Sequence, residues 1–200
     1  MRVRGESGQE IAPDYDVVAK QNPFLWGMKK IALHSSRILA VLFLAVISIN
    51  GISQVDSTSP PYKKFPTYPP VKLLLADSTT TFSKENLSKK KPTMLMLFSP
   101  DCDHCKHETE ELIKRIDDFK DVQIVMATPM PFEKMKEYYE HFDLSKYPNI
   151  KMGQDNKWML PTFYNIKFFP FLAFYNKKQE LISVFEGGLS MDKILEELKK

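Results

Sequence analysis

The chain contains two cysteines, Cys102 and Cys105, separated by Asp103 and His104. They follow an apolar run, Met94 to Phe98, that reads as a short buried strand, and a break at Ser99-Pro100. They open an amphipathic stretch in which Leu112, Ile113, Ile116 and Phe119 recur at helical spacing. A strand leading into C-x-x-C at a helix N-terminus is the arrangement of a thiol–disulfide exchange site. The first amides of a helix lack partners and its dipole is positive there, so a thiolate at Cys102 is favoured over a thiol. Such settings bring a cysteine pKa from about 8.5 into the range of roughly 3.5–7.5. Cys102 is therefore the expected nucleophile. Cys105, one turn further in, is the resolving thiol that attacks the mixed disulfide and closes a Cys102–Cys105 bond.

Other chemistries compete for the same residues. A structural disulfide across so small a loop confers little chain-entropy benefit. Cys102, His104, Cys105 and His107 are four metal-ligand types within six positions. A tetrahedral zinc site, however, draws on two separated pairs, because one helical turn rarely converges four ligands. His141 is the other histidine outside the N-terminal region, and no distant cysteine pair exists. No metal ligand set is assigned, and copper handling stands as an alternative.

The elements that must position this pair follow from the rest of the chain. Its 200 residues suffice for one ordinary domain plus extras. The formal charge of +3 is weak and interleaved, which argues against a nucleic-acid surface. The lysine clusters at 89–91, 177–178 and 199–200 read as solvated turns and a chain end. Ile38 to Ile49 is an uncharged apolar run preceded by Lys29, Lys30 and Arg37 and followed by Gly51-Ile52-Ser53. A basic start, an apolar stretch of about 7–15 residues and a small-residue exit define an export signal. Residues 28–53 are thus expected to be a signal peptide, cut after Ser53, or else a retained membrane anchor. Residues 1–27, with Glu6, Glu10, Asp14 and Asp16, are unlike a signal n-region, so translation is expected to start at Met28 and 1–27 to be a non-structural extension. Export would place the thiols where disulfides persist.

Residues 54–70 are proline-rich and read as a semi-stiff linker, spread away from the domain or along its edge. A domain over 71–200 follows. Strands are expected at 71–76, 93–98 and 122–128, with a turn at 77–81 and a short helical turn at 83–87 capped by Ser83. The active-site helix is expected over 102–119 and a second helix over 131–142. The stretch 143–162 reads as a loop with one helical turn, carrying Trp158 inward. A hairpin (171–175 and 180–185) and a closing helix (191–199) capped by Ser190 end the chain. The acids Glu108, Glu110, Glu111, Asp117 and Asp118 read as the solvated face of the active-site helix. The order of elements indicates one α/β domain with a central mixed β-sheet flanked by helices.

From about Val71 to Lys199 the chain resembles the thioredoxin-like superfamily, and within it the exported thiol–disulfide oxidoreductases of the TlpA and ResA kind. The resemblance rests on the strand–Cys102-Asp103-His104-Cys105–helix unit, the β–β–α ending and the segment Tyr164 to Phe171. It implies that Pro170 is cis and lies against the cysteines, and that Phe169 presents its backbone to an extended substrate chain by strand addition. Pro161 lies too far ahead of the strand for that role. The resemblance also implies protein thiol or disulfide substrates, a membrane-bound electron donor and a place in the bacterial periplasm or cell envelope; no cofactor is needed, and a monomer is expected.

The departures are specific. Thioredoxins often bury an acid beneath the cysteines, where this chain has Met96; Glu108 or a water would have to accept the resolving thiol's proton. Asp101 replaces the familiar tryptophan, and Phe169 is bulkier than the usual residue. His104 resembles the histidine of strongly oxidising relatives, and as a cation it would tune Cys102 toward the thiolate. Asp101 and Asp103 act oppositely, each by about 1 kcal/mol, so an intermediate poise is expected. His107 is expected on the helix surface. A peroxiredoxin-like peroxidase is the further alternative, because Ser99 stands three residues before Cys102.

Overall fold

The structure, a computed structural model, describes residues 59–200. The expected extension, the apolar run and the start of the linker lie outside the described residues. The described chain runs α1 (Pro61–Lys64), β1 (Lys72–Leu75), β2 (Thr81–Ser83), β3 (Thr93–Leu97), α2 (Asp103–Lys114), β4 (Gln123–Thr128), α3 (Phe132–His141), β5 (Ile150–Gln154), α4 (Met159–Tyr164), β6 (Phe171–Tyr175), β7 (Leu181–Glu186) and α5 (Met191–Glu197).

The strands form one seven-stranded sheet in the order β2-β1-β5-β4-β3-β6-β7. β3, β4 and β5 are parallel and central, joined by α2 and α3; the outer pairs run antiparallel. The central strands carry few polar residues because both faces are covered. Alternate residues sort to two cores. Met94, Met96, Ile124, Met126, Leu172 and Phe174 pack with α2, α3 and α5 on one face. Leu95, Leu97, Val125, Ala127, Ala173 and Tyr175 pack with α4, Tyr68 and Leu73 on the other. This is the thioredoxin-like α/β architecture, with a mixed sheet between helical layers.

The described part of the proline-rich segment lies along the sheet edge. Thr67 bridges Glu180, Tyr68 N–H donates to Gln179 O at 2.9 Å, and Leu181 N–H donates to Pro66 O at 2.8 Å. Tyr68 is buried against Tyr175, so this segment covers the outer strand's unpaired groups and contributes to the core.

Four local expectations are corrected. The stretch 143–162 is not a loop: it holds β5 and α4, with a 3-10 turn at Leu144–Lys146. β5 was hidden by Gly153, which leaves room for β1. A Cβ there would lie 2.8 Å from Leu73 Cβ and 2.9 Å from Leu74 O. Trp158 does not point inward; it is 53% exposed. The turn expected at 77–81 closes earlier, because the Asp77 carboxylate accepts from the Thr79 and Thr80 amides, and Thr81 already opens β2. The long helix ends at Lys114 and tightens into a 3-10 turn at Ile116–Phe119, which swings Phe119 fully into the core.

Candidate active site

Both cysteines sit at the C-terminal end of β3. Phe98 N–H still pairs with Ala127 O at 3.0 Å, after which the chain turns and Cys102 N–H donates to Ser99 O at 3.1 Å. Cys102 is the N-cap of α2, with extended backbone (φ −92°, ψ 116°), and its sulfur accepts from the Cys105 amide at 3.3 Å. An orphan helix-start amide thus points at the sulfur, where an oxygen would sit in an ordinary cap. Cys102 is half-buried and Cys105 is fully buried; both are free thiols.

The two thiols are unequal. Burial, then the hydrogen bond with Cys102, pushes the Cys105 thiol well above the usual cysteine range. A thiol held in that way needs a base before it can act as a nucleophile. Met96 beneath the site is fully buried and supplies none. Glu108, one turn along α2, departs from the expected solvated face: it is 6% exposed and accepts from the Leu189 amide at 3.3 Å. Burial raises its carboxyl above the usual range, and its charge is felt at Cys105. Cys105 plus three residues was the signal available in the sequence, but helical periodicity alone put Glu108 among the surface acids.

Two further groups went unnoticed in the sequence. Tyr138 of α3 reaches across and donates its hydroxyl to Cys105 O at 3.0 Å, while sharing a 2.8 Å hydrogen bond with Thr109 Oγ1. Lys134, also on α3, forms a short ion pair with Asp101, and Lys106 pairs with Asp103 at 3.3 Å. The two carboxylates beside Cys102 thus each face a lysine. This weakens the repulsion that the sequence alone assigned to them. No pattern in one sequence joins positions 33 apart.

The Phe169–Pro170 peptide is cis. Pro170 is buried, and its carbonyl accepts from Gly187 N–H at 2.8 Å. Phe169 O lies 3.8 Å from Cys102 Sγ, so the loop and the exposed sulfur share one surface. Phe169 packs against both cores, whereas Phe168 is 67% exposed. Pro161 lies inside α4. His104 and His107 are exposed and line a groove of about 500 Å³ together with Glu108, Gly188 and Asp192. Among the described residues no three His, Cys, Asp or Glu side chains form a group that could hold a metal ion.

A strand, an N-capping cysteine, a buried second cysteine and an opposing cis-proline loop define a thioredoxin-type site. The chain belongs to the thioredoxin-like domain family, whose pattern matches residues 83–200. No curated protein matches it. Among solved structures, it is similar to a secreted Mycobacterium tuberculosis disulfide oxidoreductase homologous to Escherichia coli DsbE. That match has 17% identity, a TM-score of 0.54, and covers 65% of this chain and 95% of that one. StoA from Bacillus subtilis matches at 21% identity with a TM-score of 0.50, covering 66% and 98%. A peroxiredoxin-like protein from Aquifex aeolicus matches at 13% identity with a TM-score of 0.52, covering 66% and 84%. At these identities the likeness is one of fold.

Proposed function

We propose that this protein is an exported thiol–disulfide oxidoreductase that exchanges disulfides with other proteins through Cys102 and Cys105. The observation that carries the reading is the pairing of an accessible sulfur, capped by the Cys105 amide, with a buried thiol in the same helical turn. In the reducing direction, the Cys102 thiolate attacks one sulfur of a partner disulfide. The partner's S–S bond breaks, its other sulfur leaves as a thiolate, and a mixed disulfide forms. The Cys105 S–H then gives its proton to the Glu108 carboxylate. The new thiolate attacks Cys102 Sγ, the Cys102–Cys105 bond forms, and the partner leaves with two electrons. The oxidising direction is the reverse sequence.

Phe169 and Pro170 dock the partner chain. The Phe168 and Phe169 amides have no hydrogen-bond partner among the described residues, which suits them to an added strand. Exposed Phe168 adds an apolar contact beside the sulfur. His104 stands on the groove wall, where its protonated form would favour a Cys102 thiolate, and the lysine partners of Asp101 and Asp103 would leave that effect less opposed. Electrons come from a membrane-bound donor and no cofactor takes part. The protein works as a monomer in the cell envelope, delivered by residues 28–53. The secreted M. tuberculosis structure supports that location by similarity.

The test is a Cys105→Ala variant of the full chain expressed in a bacterial cell envelope. Mixed-disulfide adducts through Cys102 are expected on non-reducing gels, and none with Cys102→Ala. A trap that captures no adduct, together with an intact protein that neither reduces insulin nor oxidises thiols, would overturn the reading.

A further inference from the structure

Gly188 lies in the segment between β7 and α5, where it approaches the active-site helix. Gly187 before it adopts φ 92°, a left-handed conformation that favours glycine. Gly188 does not, so its backbone gives no reason for a glycine. The space around it does. A Cβ at Gly188 would lie 2.6 Å from Glu108 Oε2 and 3.6 Å from Glu108 Cδ, with no other chain within 4 Å. The next amide, Leu189 N–H, donates to Glu108 Oε1 at 3.3 Å. Both carboxylate oxygens therefore meet this one segment.

We infer that Gly188 is a positioning residue for the resolving step: its missing side chain admits the Glu108 carboxylate to the seat from which it takes the Cys105 proton. The inference rests on the oxidoreductase reading above and names what sets the geometry of its base. The carboxylate shares its groove with His104, His107 and Glu111 of α2, Arg115 just past the end of α2 and Asp192 of α5, and its charge is felt at the Cys105 thiol. It also lines the groove of about 500 Å³, through which the accepted proton reaches solvent. A methyl at position 188 would meet only the mobile end of one side chain. Glu108 can swing aside, so the change leaves packing intact and moves the acid.

The experiment is single-turnover reaction of the reduced full chain with the aromatic disulfide 5,5′-dithiobis(2-nitrobenzoate). One nitrobenzoate thiolate leaves when Cys102 attacks and a second when Cys105 resolves. Gly188→Ala is expected to slow the second release by about tenfold at neutral pH, as a displaced base should. Its pH–rate midpoint should shift, while the first release and the melting temperature stay as in the unsubstituted protein. Glu108→Gln should slow the same phase, and Gly188→Ala added to it should slow it no further, since both act through one carboxylate. An unchanged second phase in Gly188→Ala alongside a slowed one in Glu108→Gln overturns the positioning role alone. Additive slowing in the double variant, or a loss of stability in Gly188→Ala, also overturns it. An unchanged phase in Glu108→Gln overturns the assignment of the base, and the lack of any second release overturns the oxidoreductase reading.

Discussion

Replacing Tyr138 by phenylalanine tests whether α3 pins the turn that carries the buried thiol. The ring would keep its contacts, with Phe98 and Phe142 each at 4.6 Å between centroids, so no cavity opens. Only the hydroxyl is lost, and with it the 3.0 Å bond to Cys105 O and the 2.8 Å bond with Thr109 Oγ1. The Cys105 carbonyl keeps its intrahelical donor, but the fully buried Thr109 hydroxyl loses its partner on α3. One net hydrogen bond of about 1 kcal/mol plus a partly unsatisfied hydroxyl gives a loss of about 2 kcal/mol. For a chain of this size that lowers the melting midpoint by roughly 4–8 °C. Denaturant titration of the reduced protein should show a lower midpoint with an unchanged slope. Thr109→Val should be destabilising alone, and the double variant less so than the sum, because it removes both ends of the pair. A Tyr138→Phe protein that melts within about 1 °C of the unsubstituted one would show that the hydroxyl bridge holds nothing.

Further outcomes follow from the same geometry. Burial raises the Glu108 carboxyl, so between the ordinary glutamate value of about 4.3 and its folded value the native state keeps a proton the unfolded chain has lost. Stability therefore falls as pH rises through that window, and reduced Glu108→Gln should melt higher than the unsubstituted protein at about pH 7 but not at about pH 4. Superimposable curves at both values would remove the raised carboxyl. The raised Cys105 thiol has the same sign at higher pH: above about 8.5 the unfolded chain ionises this group and the folded one does not. Reduced protein should lose stability from there upward, and Cys105→Ala should flatten that slope in a melting series across pH. Gly153→Ala forces a Cβ against Leu73 and the Leu74 backbone, an overpacking expected to cost about 1–3 kcal/mol, read as a lowered denaturant midpoint.

The order of elements already indicated the α/β class, and local signals located most elements. The apolar run before the cysteines became β3, and Leu112 faced the sheet as its spacing required. Ser190 caps α5, its hydroxyl accepting from Lys193 N–H, and Ser83 stands at the N-cap of the 3-10 turn at Lys84–Asn86, its amide donating to Asn86 Oδ1. What local signals missed were elements whose character depends on a neighbour. β5 carries a glycine, normally unfavourable in a strand, because β1 passes too close for a side chain. β2 has only three residues and exists as the partner of β1.

The site divides in the same way. Residue types within one helical turn sufficed to single out Cys102 and Cys105 as a pair at the start of α2, because an N-cap sulfur and a residue three positions on are neighbours in any helix. Whether a carboxylate near them is buried depends on what lies across from it. Leu189, 81 positions away, supplies the amide that holds Glu108, a residue left only 6% exposed in the fold. Tyr138 likewise reaches the first turn of α2, and Lys134 the loop just ahead of it, only because two parallel strands bring α3 alongside. Short-range spacing thus named the sulfurs, while the energies of their protons are set by charges and burial that chain folding alone brings within reach.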